Sequence, residues 1–158
     1  MPAELRLALD TNVLVYAEGF ERAPEDAAKI ATSQHLMRRL LEDRIRPVVA
    51  VQALAELHRF TVRRQRRSPR HATEVVRSWI VRADIVGNST TVMDAALELS
   101  ADHGLQIFDA IIVAAAVEAR CDLILSEDLQ DGFAWRGVIV TNPFGAAPDR
   151  RVGRLLAR

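Results

Sequence analysis

Leu5-Arg6-Leu7-Ala8-Leu9-Asp10-Thr11-Asn12 sets the fold class of this chain. Its apolar residues alternate weakly, as along a strand, and the run ends in an acid. Thr11 and Asn12 then offer polar caps for a short helix through Val13 to Ala17. A strand that carries a carboxylate at its end and passes straight into a helix reads as the start of an α/β unit.

The same grammar continues outward. Pro47–Val51, Asp122–Ser126 and Gly137–Thr141 read as further strands, and Asp84–Gly87 as a fourth candidate. Between them, helical spacing covers Ala27–Arg44, Gln52 to about Arg67, and Ser68-Pro69 to about Arg82. Thr90–His103 is a helix stopped by Gly104, and Asp109 opens an alanine-rich helix to Arg120 that is apolar on most sides and therefore buried. Glu18–Asp26, with Gly19 and Pro24, reads as a loop. Strands alternating with helices predict an α/β domain around a mainly parallel sheet. Residues 1–145 are expected to form a single domain, and 146–158 a basic C-terminal tail whose last ten residues are loosely ordered.

A chain of 158 residues with 49% hydrophobic content can bury a real core, which excludes intrinsic disorder. The longest apolar run, Ala110–Val117, is far short of the ~20 residues that span a bilayer. The N-terminus lacks the apolar stretch of a signal peptide. Cys121 has no second cysteine with which to form a disulfide or a metal site. The expectation is a soluble cytoplasmic protein with no membrane partner. Charge balances at 21 basic and 21 acidic residues, but unevenly: Leu57–Thr73 contains no acid and six arginines.

The acids stand at informative places. Asp10 directly follows the first strand, and Asp128 lies two residues beyond Ser126, so parallel strands would put both on one sheet edge. Asp109, at the start of its helix, is favoured by the helix dipole. Glu56, four residues after Gln52 and flanked by Leu54-Ala55 and Leu57, sits among apolar neighbours. Carboxylates forced together repel one another, and a hard divalent cation compensates; oxygen-only ligands select Mg2+ or Mn2+ over zinc. Such an ion, singly or as a pair, suits phosphodiester hydrolysis. Taken singly, each acid also reads as a helix cap, a solvated helix residue or a polar turn.

Four stretches together resemble the PIN-domain nucleases, and among them the VapC-type toxins of toxin–antitoxin pairs. They are Leu9-Asp-Thr-Asn-Val-Leu-Val15, Gln52-Ala-Leu-Ala-Glu-Leu57, Ile107-Phe-Asp-Ala-Ile-Ile-Val-Ala-Ala-Ala116 and Leu125-Ser-Glu-Asp-Leu-Gln-Asp-Gly132. The first and third are specific, and the second is weak alone. The resemblance implies a three-layer α/β/α fold and a Mg2+-dependent endoribonuclease. It makes Asp10 and Asp109 direct metal ligands, with Glu56 and Asp128 completing the pocket directly or through water. It implies that Thr11, Asn12 and Ser126 hold carboxylates or water in place. Glu127 and Asp131 are left open between approaching the metal and a structural role. A homodimer and an antitoxin that inserts a segment into the acidic groove are the implied partners, with RNA as substrate.

If Gln52–Arg70 is largely helical, Arg59, Arg63, Arg66 and Arg70 form one stripe able to track a phosphate backbone; a solvated helix face is the bland alternative. Tyr16, Phe60 and Trp79 could line a partner groove, though core packing suits them as well. A receiver domain would need a lysine after a late strand, and Lys29 is the only lysine. A dehalogenase-type phosphatase would need an aspartate where Asn12 stands. The serious alternative is a non-catalytic PIN-like module that binds RNA or protein.

Overall fold

A computed structural model describes residues 5–158. Six strands form one sheet: β1 (Leu7–Leu9), β2 (Val48–Ala50), β3 (Asp84–Val86), β4 (Leu123–Leu125), β5 (Ala134–Trp135) and β6 (Val138–Thr141). Their order is β3-β2-β1-β4-β6-β5, all parallel except the β5–β6 pair. Among the described residues seven helices cover it: α1 (Thr11–Ala17), α2 (Ala27–Glu42), α3 (Val51–Arg63), α4 (Pro69–Arg82), α5 (Thr90–His103), α6 (Ile107–Glu118) and α7 (Arg150–Leu156). The result is three layers, α/β/α, as the alternation of elements predicts.

β1 lies at the centre because it can be buried on both faces: Leu7, Ala8 and Leu9 have almost no exposure. β1 is flanked by β2 on one side and β4 on the other, so chain order reverses direction beside it. Clefts in doubly wound sheets open at such a switch point. The register Leu9↔Leu125 places the residues that follow, Asp10 and Ser126, side by side.

α6 is buried from Ala110 to Ala116, and its small alanines let it lie close on the sheet while α5 packs against it. α5 is bounded as its sequence predicts, with the Ser89 hydroxyl accepting from the Val92 N–H and Gly104 at φ 70° terminating it.

Four expectations need correction. The arginine-bearing helix, expected to reach about Arg67, stops at Arg63, and Arg66 adopts a left-handed φ of 50° before α4 starts at the Ser68-Pro69 pair, as expected. Arg59, Arg63, Arg66 and Arg70 therefore do not share one helix face. α6 begins at Ile107, with Gln106 in the cap position, so Asp109 lies within the first turn and does not cap the helix. The cap of α1 is Asp10 itself, ahead of Thr11 and Asn12. The last residues are ordered as α7, which buries Val152 and Leu155 against the body and packs on α2.

The β5–β6 hairpin has no counterpart in the sequence reading. Its two-residue turn, Arg136-Gly137, needs left-handed φ at both positions (46° and 89°), which only Gly137 takes without strain. Tyr16 and Trp79 are both buried, as core packing requires. Cys121 is buried too, and burial pushes its thiol up to about 12. Among the described residues, no helix is long and apolar enough to cross a membrane.

Candidate active site

The cleft at the switch point has a volume of about 580 Å3. Thr11, Asn12, Glu56, Asp109 and Asp128 line it, and Asp10 lies beneath. Chain segments separated by more than a hundred residues thus deliver four carboxylates to one place.

Asp10 is the most constrained of the four, with 4% of its surface exposed. Its N–H donates to the Leu125 carbonyl at 3.0 Å, an extension of the β1–β4 pairing. Its Oδ1 caps α1 by accepting from the Thr11 N–H at 2.7 Å. Oδ2 accepts from the Ser126 hydroxyl at 2.6 Å and from Asn12 Nδ2 at 3.1 Å. Burial nevertheless pushes its carboxyl up to about 6; the Ser126 and Thr11 donors work against the rise, and neighbouring Asp109 and Asp128 add to it. Asp109 is raised in the same direction by burial, and by the charges of Glu56 and Asp128.

Ser126, fully buried, links two elements. While donating to Asp10, its Oγ accepts from the N–H groups of Asp128 and Leu129, each at 3.1 Å. The turn that carries Asp128 is therefore tied to Asp10. Asn12 sits between them: its Nδ2 reaches Asp10, Ser126 and Asp128, and its Oδ1 accepts from the Glu127 N–H. Glu56 is aimed from α3 by two donors, Gln52 Nε2 at 2.8 Å and the Thr11 hydroxyl at 3.1 Å.

The two open acids both have structural contacts. Glu127 takes Lys29 at 2.8 Å, Arg22 at 3.0 Å and the Tyr16 hydroxyl. Asp131 accepts from the Asn142 N–H at 2.8 Å, steadying the hairpin end.

The donor set suits a hard divalent cation in two respects. All its ligating atoms are oxygens, and its carboxylates raise one another in a way that added positive charge would relieve. Among the described residues, no three His, Cys, Asp or Glu side chains close on a single point as a finished cage. The arrangement is an open acidic basin.

Arg59 and Arg63 line this cleft, whereas Arg66 and Arg70 do not. Among the lining residues that were not site candidates in the sequence are Arg22, Arg64, Gln106 and Phe108. Phe108 could have been found, since a large aromatic directly before Asp109 sits at the mouth of a site by adjacency alone. It is 58% exposed. Arg22 lies in a loop with no local signature.

With this geometry in view, comparison with known proteins identifies the family. The sequence profile of the PIN domain matches residues 7–133, and the chain belongs to the PIN domain family. No curated protein matches it in sequence. Solved structures share its fold at low identity. A toxin–antitoxin complex from Klebsiella pneumoniae is 18% identical at TM-score 0.58, over 85% of this chain and 95% of that one. A DNA-bound VapBC from Salmonella typhimurium is 18% identical at TM-score 0.60, over 88% and 98%. The sarcin–ricin-loop-cleaving VapC toxin of Mycobacterium tuberculosis is 15% identical at TM-score 0.55, over 75% and 86%.

Proposed function

We propose that this PIN-domain protein is a Mg2+-dependent endoribonuclease and the toxin of a toxin–antitoxin pair, acting in the cytoplasm as a homodimer. The observation that carries the reading is the burial of Asp10 next to Asp109 and Asp128, where charge is concentrated at a cost that a cation would offset. Family membership and the fold shared with toxin–antitoxin structures support it.

In this reading Asp10 and Asp109 ligate Mg2+, or Mn2+ in its place, with Glu56 and Asp128 acting directly or through water around one or two ions. A bound ion supplies a water acidified for attack and positive charge against the phosphate. The chain's own residues do the rest. Ser126 and Asn12 fix the Asp10 carboxylate, while Thr11 and Gln52 fix Glu56. Arg59 and Arg63, on the wall of the cleft, meet RNA phosphates. An antitoxin segment bearing a basic residue would quench the same carboxylates.

Cleavage of labelled RNA with and without Mg2+, by wild type and by Asp10→Asn, tests the reading. Metal-dependent cutting that the variant loses supports it. RNA binding without cutting under all divalent ions would make the protein a non-catalytic module.

A further inference from the structure

We infer that Arg22 is a substrate-binding residue that grips an RNA phosphate at the outer edge of the cleft; this rests on the ribonuclease reading above. Arg22 belongs to the loop between α1 and α2, and that loop is tied to a buried carboxylate. Buried Asp26 accepts from the Arg22 N–H at 2.9 Å and from the Ala23 N–H at 2.7 Å, which fixes the backbone from which the side chain springs.

The guanidinium is tethered on one side only. Its Nη1 meets Glu127 Oε1 at 3.0 Å and Asp128 Oδ2 at 3.1 Å. Among the described residues, its side-chain contacts all run through that nitrogen. Nε and Nη2 are thus left for another acceptor. The side chain remains 35% exposed and lines the acidic cleft together with Arg59, Arg63 and Arg64.

Arg22 forms the one ion pair of Asp128 among the described residues, through Nη1 alone, and that pairing leaves the rest of the guanidinium uncommitted. Glu127 already has Lys29 at 2.8 Å and the Tyr16 hydroxyl, so it does not require a second cation. A guanidinium with one edge pinned by carboxylates and the other edge open has the fork geometry that binds phosphate oxygens in pairs. Pinning also removes much of the rotamer entropy that a free arginine would lose on binding. Arg22 lines the same cleft as Arg59 and Arg63, so a phosphate backbone lying in that cleft would meet all three.

The test measures binding of a fluorescein-labelled, mixed-sequence single-stranded RNA 20-mer in EDTA across a salt series. Wild type is compared with Arg22→Ala, Arg22→Gln, Arg22→Lys and the control Arg136→Ala, whose partner Glu98 lies outside the cleft. Losing one phosphate contact should lower the log–log salt slope by about 0.7 in both Arg22→Ala and Arg22→Gln. It should also raise KM in Mg2+ by roughly tenfold. Arg22→Lys should keep the slope and lose part of the affinity, and Arg136→Ala should match wild type. If the folded Arg22→Ala or Arg22→Gln protein keeps the wild-type slope while wild type cuts RNA, this inference is overturned and the nuclease reading stands. If wild type neither binds nor cuts the RNA, both fall.

Discussion

Ser126 Oγ lies 2.6 Å from Asp10 Oδ2, across two parallel strands whose ends stand in register at Leu9 and Leu125. One hydroxyl thus fixes the carboxylate at the floor of the cleft and, through the N–H groups of Asp128 and Leu129, the turn that brings the next carboxylate. Ser126→Ala would leave those N–H groups and Asp10 short of a partner. It should destabilise the fold by about 1–3 kcal/mol in urea melts. RNA cleavage should fall about 10- to 100-fold. A variant as active and as stable as wild type would show that the bridge contributes nothing.

Asp10→Asn and Asp109→Asn should each abolish RNA cleavage, a loss of at least about a hundredfold, while the fold persists. Held ionised at pH 7, the Asp10 carboxyl costs the fold about 3 kcal/mol relative to one that titrates normally. Removing its charge should therefore leave the melting temperature in EDTA equal or higher. Added Mg2+ should raise the wild-type melting temperature and leave that of Asp10→Asn nearly unchanged. Equal cleavage by wild type and both variants at matched Mg2+ would refute the site.

The sign of the pH effect follows from the same group. Asp10 titrates at about 6 in the folded chain, against the ordinary aspartate value of 3.8 once unfolded. Between these values the folded chain retains a proton that the unfolded chain releases. Its contribution to stability is complete below about pH 4 and is lost as pH rises through about 6. Urea midpoints in EDTA at pH 5 and pH 7.5 should show this decline in wild type, relative to Asp10→Asn. Cleavage runs the other way: at limiting Mg2+, its rate should climb through about pH 6 as the carboxylate frees itself to bind metal.

The two halves of the arginine cluster should behave differently. Arg59→Ala with Arg63→Ala removes two charges from the cleft wall and should flatten the salt dependence of RNA binding by about 1.4 on a log–log plot. Arg66→Ala with Arg70→Ala removes the same charge outside the cleft and should leave the slope unchanged. Identical slopes for the two pairs would mean that RNA does not follow the α3 wall.

Phe108 exposes an aromatic ring beside Asp109 that packing does not require. Phe108→Ala should leave stability within about 0.5 kcal/mol of wild type. If an RNA base stacks on the ring, affinity should fall by roughly 1–3 kcal/mol, read by RNA titration in EDTA. Unchanged affinity would remove Phe108 from the substrate path.

Much of this molecule was legible in its sequence because the decisive signals are local. Leu7-Ala8-Leu9 running into Asp10, and Leu123-Ile124-Leu125 running into Ser126, announce strands with polar ends; parallel pairing then brings those ends together. Glu56 and Asp109 stand out through their local sequences, although the pattern sets the start of α6 two residues late because glutamine is a weak cap. What the sequence concealed depends on distant contacts or backbone reversals. The helix ends at Arg63 and the chain reverses at left-handed Arg66, and no glycine or proline marks either residue. Arg22 gains its place only through Asp26, Glu127 and Asp128, two of which lie more than a hundred residues away. The apolar positions of α7 read as a tail until α2 gives them a surface to cover.

The burial of Cys121 has a practical consequence. The chain's one native thiol is shielded and held protonated at neutral pH. A maleimide dye offered to the folded protein would therefore find an almost silent background. A thiol introduced by Glu25→Cys, on the exposed flank of the Arg22 loop, would take up the label selectively and report RNA arriving beside Arg22 as a change in fluorescence.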